Sequence, residues 1–222
     1  MIAALLCVTM IFSLSACGKK KEQKYQDYIK GLIAINYLGA SESYLKDTGA
    51  TKEDAQTLYN NNVELLADNL ITYYGVVITD SPELRERYVE LAKSIYGKVN
   101  YKVSEARKDG SVYLVDIEIY PINIFAQTSE EVKEYVNKFN TDVANGVYND
   151  YELAAYETEF SDGLLEILNN GCNSMTYAKP VTVTVEIIED GDTYYISDAD
   201  MLEIDSAMIS TAVLNTETVI PE

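Results

Sequence analysis

Hydrophobic and polar residues alternate along the chain with two different periods, and the change of period predicts the order of its secondary structure. Residues 24–38 place apolar side chains three and four positions apart, as on one face of an α-helix. Two more amphipathic helices are predicted over residues 51–75 and 81–97. The first of these begins with a capping box, in which Thr51 is followed three residues later by Asp54.

The period shortens to two over residues 100–121 and again over residues 180–197, which predicts two β-hairpins. Each contains an Asp-Gly pair, at 109–110 and at 190–191, and this pair favours a two-residue turn. One face of the first hairpin is apolar and the other is acidic. The apolar positions are Tyr113, Val115, Ile117 and Ile119, and the acidic ones are Asp116 and Glu118. A sheet with one dry and one wet face is antiparallel.

Helices return between the hairpins, from Thr128 and from about residue 149 to 169, and a short helix is predicted near residues 200–206. The simplest packing puts both hairpins in one curved antiparallel sheet, with the helices against its dry face. The predicted fold class is therefore α+β. No linker rich in proline or glycine divides residues 24–222, so we expect a single domain. The alternative is two domains split near Gln127.

The start of the chain differs from the rest. Residues 2–16 carry no charge, but 15 residues are fewer than the roughly 20 that a membrane-spanning helix needs. They fit the apolar core of a secretory signal, which ends in small residues before the cleavage point. The stretch Leu14-Ser15-Ala16-Cys17, followed by glycine, resembles the lipobox of bacterial lipoproteins. The resemblance implies that the signal is cut between Ala16 and Cys17 and that a diacylglycerol is attached to the Cys17 thiol.

This interpretation divides the N-terminal region into a signal peptide at residues 1–16 and a lipidated cysteine with a basic tether at 17–23. Two acyl chains anchor a protein stably where a single chain is marginal. The lysines at 19–21 would lie at the lipid headgroups, and the predicted location is the extracytoplasmic face of the cell membrane. Signal peptides usually begin with a basic residue, and this one does not. We expect that translation starts upstream or that the terminal amine suffices; an uncleaved anchor is the alternative.

Composition excludes several classes of function. The chain of 222 residues has a net charge of -19, and from Glu22 onward 14 basic residues face 36 acidic ones, so nucleic-acid binding is excluded. The acidity keeps the domain soluble; a cationic partner or bound divalent ions are the alternative. Histidine is absent, and Cys172 is the one free thiol left after processing. Ser-His-Asp triads, Cys/His zinc sites and a disulfide within one chain are therefore excluded. We expect no cofactor.

Two candidate sites remain. Calcium is a candidate ligand for the aspartates of the second hairpin and the helix after it, although their order departs from an EF-hand loop. These are Asp190, Asp192, Asp198 and Asp200. A ligand pocket lined by tyrosines of the sheet is the second candidate. These are Tyr101, Tyr113 and Tyr195. Enzymes that pair a tyrosine with a carboxylate base use such pockets, but the strand acids point outward, so we assign no catalytic residue.

Three stretches resemble a family of uncharacterised lipoproteins of Gram-positive type. They are YQDYIKGLIAINYLG, KVSEARKDGSVYLVDIEIYPINIF and VTVTVEIIEDGDTYYISDADM. The last is also similar to the final hairpin of nuclear transport factor 2-like (NTF2-like) and cystatin-like cones. The resemblance implies a fold and a location but no activity. We expect a membrane-anchored, non-enzymatic module that binds an extracytoplasmic ligand or protein. A carboxylate-based enzyme with a tyrosine-lined pocket and a purely structural envelope protein are the alternatives.

Overall fold

The computed structural model describes residues 20–79, 81–191 and 193–211. The signal peptide and the lipid attachment site predicted at Cys17 lie outside these residues. Seven helices and five strands are present in the described part. In chain order they are α1 (Lys21–Leu38), α2 (Glu42–Thr48), α3 (Lys52–Tyr73), α4 (Pro82–Tyr96), β1 (Asn100–Val103), β2 (Arg107–Asp109), β3 (Val112–Tyr120), α5 (Ile124–Ala144), α6 (Leu153–Asn173), β4 (Val181–Asp190), β5 (Thr193–Tyr195) and α7 (Asp198–Met208).

The predicted α+β class is confirmed, with an antiparallel, curled half-barrel sheet consistent with a cone-like fold. Membership of the NTF2-like or cystatin-like cones in particular stays a prediction. Contacts between residues divide the chain into two compact units, neither of them continuous in sequence. Among the described residues, the sheet unit comprises residues 20–60, 99–121 and 179–208, and the helical unit comprises residues 61–98, 122–178 and 209–211. The single domain over 24–222 and the alternative split near Gln127 also stay predictions.

In the sheet unit the two predicted hairpins join through β3 and β4, which pair antiparallel. The register sets Val115 opposite Val185 and Ile117 opposite Val183, and all four side chains are buried. β1 and β2 pair with the other edge of β3, and β5 pairs with β4. Helices α1 and α7 contact the sheet, and α2 packs on α1. The alternation of apolar and polar residues thus produced one dry face, as predicted.

Both turns begin one residue later than the sequence pattern predicted. Asp109 pairs with Val112, and Asp190 pairs with Thr193, so each aspartate stays in its strand and glycine opens the two-residue turn. Gly110 has a φ of 60°, and the glycine of the second turn has a φ of 59°. Glycine is the residue that adopts this left-handed conformation without strain, which explains why the turns start there.

The first strand of the first hairpin is broken in two. Val103 lies opposite Ile117, whereas Arg107 lies opposite Leu114, so between these pairs three residues on one strand face two on the other. This extra residue is a β-bulge, and it reverses which side chains of β1 point inward. Because of the bulge, Tyr101 lies opposite Ile119 on the dry face. An unbroken strand would have turned it to the wet face.

The helical unit contains α4, α5, α6 and the part of α3 from residue 61 onward. Helix α6 contacts both α4 and α5. Helices α5 and α6 approach closely at Gly171, where an added Cβ would lie 2.7 Å from Ile124 Cδ1 and 2.7 Å from Thr128 Cγ2. Glycine is needed at this crossing because any side chain would push the two helices apart.

Helix caps were predicted better than some helix starts. Thr51 and Asp54 form the expected capping box, with Asp54 N donating to Thr51 Oγ1 at 3.1 Å, and Ser81 caps α4. However, α5 begins at Ile124 rather than at Thr128. Thr128 is buried inside the helix, and its hydroxyl donates to the Ile124 carbonyl at 2.8 Å. A threonine that bonds back within its own helix carries the same sequence signal as a cap, which explains the error.

Candidate functional site

Exposed apolar side chains concentrate where α5 turns into α6. Of the ten large hydrophobic residues that are exposed in the described part of the chain, four lie within 11 residues at this turn. They are Val143, Val147, Tyr151 and Leu153, and Leu153 is 60% exposed. Together with Tyr148 they form what we call the aromatic tip. Scattered apolar residues are ordinary on a protein surface, whereas their concentration at one turn makes that turn the candidate interaction site.

The rings of the aromatic tip rest on a stacked aromatic core. Tyr148 stacks on the buried Phe139 with ring centroids 4.8 Å apart and an angle of 27° between the ring planes. Tyr151 meets Tyr148 edge-on at 5.1 Å, and Tyr156 does so at 5.7 Å. Such contacts contribute about 0.5–1.5 kcal/mol per pair beyond simple burial. The exposed Tyr151 ring therefore packs on the half-buried Tyr148 ring, which in turn packs on the buried Phe139 ring.

A local backbone motif shapes the turn that carries the tip. Gly146 has a φ of 79° and ends α5, with its N–H donating to the Val143 carbonyl at 2.9 Å. The next N–H, of Val147, donates to the Asp142 carbonyl at 3.0 Å. This pair of bonds is the Schellman motif, which ends a helix and turns the chain away from it. It leaves Val147 55% exposed.

The packing of α5 against α6 supports the tip from below. The Tyr135 hydroxyl shares its single proton between the carbonyls of Glu159 and Phe160, each 3.0 Å from the hydroxyl oxygen. Its ring lies over Gly163, where an added Cβ would collide with the ring. Tyr135 also stacks with Phe160, 5.9 Å between centroids. One tyrosine on α5 thus fixes the position of α6, and glycine makes room for it.

Acidic residues surround the aromatic tip. Asp142 lies at the end of α5 and accepts from Lys138 at 2.7 Å, while Asp150 and Glu152 lie in the turn and Glu159 lies on α6. The pKa of Tyr148 is raised, first by burial and then by the carboxylates of Asp142 and Glu159. The site therefore has an apolar centre within a negative rim.

The tyrosines predicted to line a pocket do not come together. Tyr101 and Tyr113 lie on the dry face of β1 and β3, but Tyr101 pairs at the level of Ile119, six residues or about 20 Å along β3 from Tyr113. Tyr195 pairs with Ile188 and lies on the opposite face. Because the turn between the two strands has two residues, the dry face is formed by odd-numbered residues in β4 and by even-numbered residues in β5. Tyr194, rather than Tyr195, therefore lies on the dry face.

Tyr194 belongs to a cluster of rings at the edge of the dry face. Its ring meets Tyr25 at 5.0 Å and Tyr28 at 5.2 Å, and Tyr25 meets Tyr113 at 5.0 Å. Tyr25 and Tyr28 project from α1 and are 3% and 4% exposed. These rings fill the space between α1 and the sheet, so the cluster acts as core packing.

A set of polar contacts closes this cluster, and we call it the tether clasp: Lys21, Tyr25, Tyr113 and Glu189. The Glu189 carboxylate accepts from the Tyr25 hydroxyl and from Lys21 Nζ at 2.7 Å. The Lys21 ammonium lies 5.7 Å from the centroid of the Tyr113 ring. Lys21 and Tyr25 hold the pKa of Glu189 below its usual value, and burial, followed by the Glu189 contact, raises the pKa of Tyr25.

The acids of the strands point outward, as predicted, and are engaged there. Asp116 accepts from Thr184 Oγ1 at 2.7 Å and from Arg107 at 3.1 Å, and these contacts lower its pKa. Glu118 accepts from Lys102 at 2.6 Å, and its pKa is also lowered. Carboxylates held in the ionised form by hydrogen bonds are poor proton acceptors at neutral pH.

An inward-facing acid lies on a helix rather than on a strand. Asp205 of α7 accepts from the hydroxyl of Tyr37, a fully buried residue of α1. Burial raises the pKa of Asp205. The sequence does carry a signal for it, because Met201 and Met208 place this position on the apolar stripe of the helix. This acid was not among the residues predicted from the sequence pattern.

The calcium candidates have other structural roles where they are described. Asp200 accepts from the Ser197 hydroxyl at 2.9 Å and returns a backbone N–H to it at 3.1 Å, so these two form the capping box of α7. Asp198 is the first residue of that helix. Asp190 ends β4, and Asp192 lies outside the described residues. Within the residues described, no group of three or more acidic or cysteine side chains is placed to hold a metal ion.

Cys172 is buried in α6 and lines a cavity of about 260 Å³ with residues that include Lys98 and Asn169. Burial raises the pKa of its thiol to about 11. A thiol that stays protonated at neutral pH is a weak nucleophile.

Among the helices that the structure describes, none is both long enough and apolar enough to cross a bilayer.

Comparison with known proteins places the fold. No protein-family model matches the chain, and no curated protein matches it. One solved structure is similar: ycdA of Bacillus subtilis, described as a putative lipoprotein, with a TM-score of 0.56 and 18% sequence identity. The match covers 87% of this chain and 61% of that one, so this chain spans about three fifths of the length of ycdA. At this identity the likeness shows a shared fold.

Proposed function

We propose that the protein is a lipoprotein, anchored by a diacylglycerol on Cys17 at the extracytoplasmic face of the membrane, and that its aromatic tip binds another protein. The Leu14–Cys17 stretch supports the anchor, since it has the residues of a lipobox. The shared fold with a protein described as a putative lipoprotein supports the same class. The proposal covers binding without catalysis.

The exposure of the aromatic tip carries the binding part of the proposal. Apolar area in water is unfavourable by about 25 cal/mol per Å², and this cost is recovered when a partner covers the area. Tyrosines on a rigid base are also well suited to binding, because little side-chain entropy is lost when they become fixed. Tyr148 has such a base in Phe139 and Tyr156, and Tyr151 packs edge-on against Tyr148.

The charge of the negative rim favours one kind of partner. Asp150, Glu152 and Glu159 favour a protein segment that carries lysine or arginine beside apolar side chains. Anionic lipid headgroups would be repelled by the same rim, so the tip is unsuited to a membrane surface. We therefore assign to the tip a cationic, amphipathic segment of a protein partner.

The anchor is tested with Cys17→Ala. This variant should accumulate as an unprocessed precursor or leave the detergent phase in a phase-partition experiment, because the lipid has no attachment point. Cys172→Ala is the matched control and should remain lipid-anchored, since that thiol is buried in α6. A Cys17→Ala protein that still matures and partitions with detergent would overturn the anchor.

The tip is tested with two synthetic peptides, one of alternating leucine and lysine and one with glutamate in place of lysine. The lysine peptide should bind the wild type more tightly, and salt should weaken it. Tyr151→Ser combined with Leu153→Ser should reduce this binding about tenfold or more, as expected for anchor residues. Leu202→Ser, on the exposed face of α7, is the control and should change nothing. Equal binding to the double variant, or to the glutamate peptide, would overturn the proposal.

The alternative of a carboxylate-based enzyme would use Asp205, whose pKa is raised by burial. Its carboxylate is already bonded to Tyr37, in the packing of α1 and α7. We propose that this pair is structural. Asp205→Asn should then fold and bind the lysine peptide as the wild type does, and loss of peptide binding in a folded variant would contradict this assignment.

A further inference from the structure

We infer that the sheet unit stands on the bilayer in one fixed orientation, with the N-terminal end of α1 facing the lipid headgroups. This inference rests on the lipid anchor proposed at Cys17. The same end of the unit contains the bulge between β1 and β2 and the Glu189 end of β4. We call it the membrane-facing end.

The length of the tether sets the distance from the lipid. Helix α1 begins at Lys21, only four positions after Cys17. Even a fully extended chain advances at most about 3.6 Å per residue, so the start of α1 lies within about 14 Å of the lipidated residue. A flexible linker of tens of residues would let the domain turn freely, and this chain has none between Cys17 and the first helix.

The tether clasp transmits this position to the sheet. Lys21, in the first turn of α1, donates to Glu189 of β4 at 2.7 Å, and Tyr25, one turn later, donates to the same carboxylate. On the other side, the Ala106 N–H in the bulge donates to the Glu22 carbonyl at 3.4 Å. The start of α1 is thus fixed at three points, so whatever orients this helix orients the sheet with it.

The distribution of charge also favours the membrane-facing end as the part of the sheet unit that lies near the lipid headgroups. Five basic side chains lie on the first turn of α1 and on β2, while the chain as a whole carries -19. They are Lys20, Lys21, Lys24, Arg107 and Lys108. Six acids of the described residues lie at the same end: Glu22, Glu105, Asp109, Asp116, Glu189 and Asp190. Because basic and acidic side chains are nearly equal in number here, this end meets less repulsion from an anionic surface than the rest of the domain, where acids outnumber bases. Lysines at the headgroups contribute about 1 kcal/mol each.

The orientation can be measured by energy transfer from a labelled protein to acceptor-labelled headgroups. The full-length, lipidated protein is placed in vesicles that contain anionic lipid, in a Cys172→Ala background. One label goes on Glu105→Cys, next to the bulge, and the other on Ala40→Cys, beyond the far end of α1; both positions are exposed. Because the 18 residues of α1 are about 27 Å long, transfer from position 105 should exceed transfer from position 40 about twofold or more.

Two measurements distinguish a failure of the proposed orientation from a failure of the lipid anchor on which it rests. Flotation of the vesicles shows whether the protein is attached at all, and failure to float would overturn the anchor and the orientation together. Attachment with equal transfer from both positions, or with greater transfer from position 40, would overturn the orientation alone. Lys21→Ala combined with Glu189→Gln opens the clasp and should reduce the difference between the two positions while flotation persists.

Discussion

Gly163→Ala should destabilise the protein, although alanine normally strengthens a helix. The new methyl group would collide with the ring of Tyr135, which must then move away from α6. Moving it breaks the hydrogen bond that the single hydroxyl proton of Tyr135 shares between the carbonyls of Glu159 and Phe160. Overpacking costs about 1–3 kcal/mol, and the lost bond costs about 0.5–1.5 kcal/mol. The gain in helix propensity offsets about 1 kcal/mol, so we expect a net loss of about 0.5–3.5 kcal/mol.

Urea unfolding followed by circular dichroism measures this change. Tyr135→Ala provides the decisive background, because without the ring the new methyl group has space and only the helix propensity remains. In that background Gly163→Ala should stabilise the protein by up to about 1 kcal/mol. Gly31→Ala in α1 is the matched control, since its Cβ would meet neighbours at ordinary distances of 3.4 Å or more.

The sign of the effect is the test. Stabilisation by Gly163→Ala in the wild type would refute the packing described for α5 and α6, and so would an undiminished loss in the Tyr135→Ala background. The same variant should also weaken the binding of the lysine peptide. Tyr135 contacts Phe139, and Phe139 carries the Tyr148 ring of the aromatic tip.

Three further predictions concern charge and packing. Asp205→Asn should raise the stability at neutral pH. Because burial raises the pKa of Asp205, the wild type loses stability as the pH rises from about 3.8 through the folded pKa, and the variant should lack that loss in urea titrations at several pH values. Glu189→Gln should have the opposite effect and lower the stability at neutral pH. Its pKa is lowered, so its contribution is present above about 4.5 and lost as the pH falls; the site is partly exposed, and we expect less than about 1 kcal/mol in the same titrations. Gly171→Ala should lower the urea midpoint by overpacking the Thr128 contact, and an unchanged midpoint would contradict the close crossing.

The sheet was predicted well from the sequence because the signals for strands and helix caps depend on residues that are close together in the chain. Alternation identified the dry face of β3 and β4, and the capping signals at Thr51 and Ser81 depend on residues three positions apart. The bulge between β1 and β2 has no such local signal, although it decides that Tyr101 points inward. One extra residue reverses a strand, and pairing with β3 rather than the sequence of β1 determines where it is inserted.

The candidate sites show the same limit. The alternation of inward and outward residues, continued across the two-residue turn, would have placed Tyr194 rather than Tyr195 on the dry face. The sequence therefore did contain the information for this position. The aromatic tip was not identifiable in this way. Val147 and Tyr151 are exposed because of where α5 ends, and the sequence pattern predicted α6 from about residue 149, where the structure has the turn. A surface made by the ends of two helices depends on both boundaries, which are the least certain part of any sequence-based prediction.

The central claim is that a protein partner covers the aromatic tip, and photo-crosslinking in living cells tests it most directly. A photoreactive phenylalanine analogue replaces Tyr151 in the full-length protein, and Leu202 in the control. We expect one discrete adduct from position 151, to a segment that contains lysine or arginine, and its loss when Leu153→Ser is added. No adduct from position 151, or the same adduct from position 202, would contradict the account.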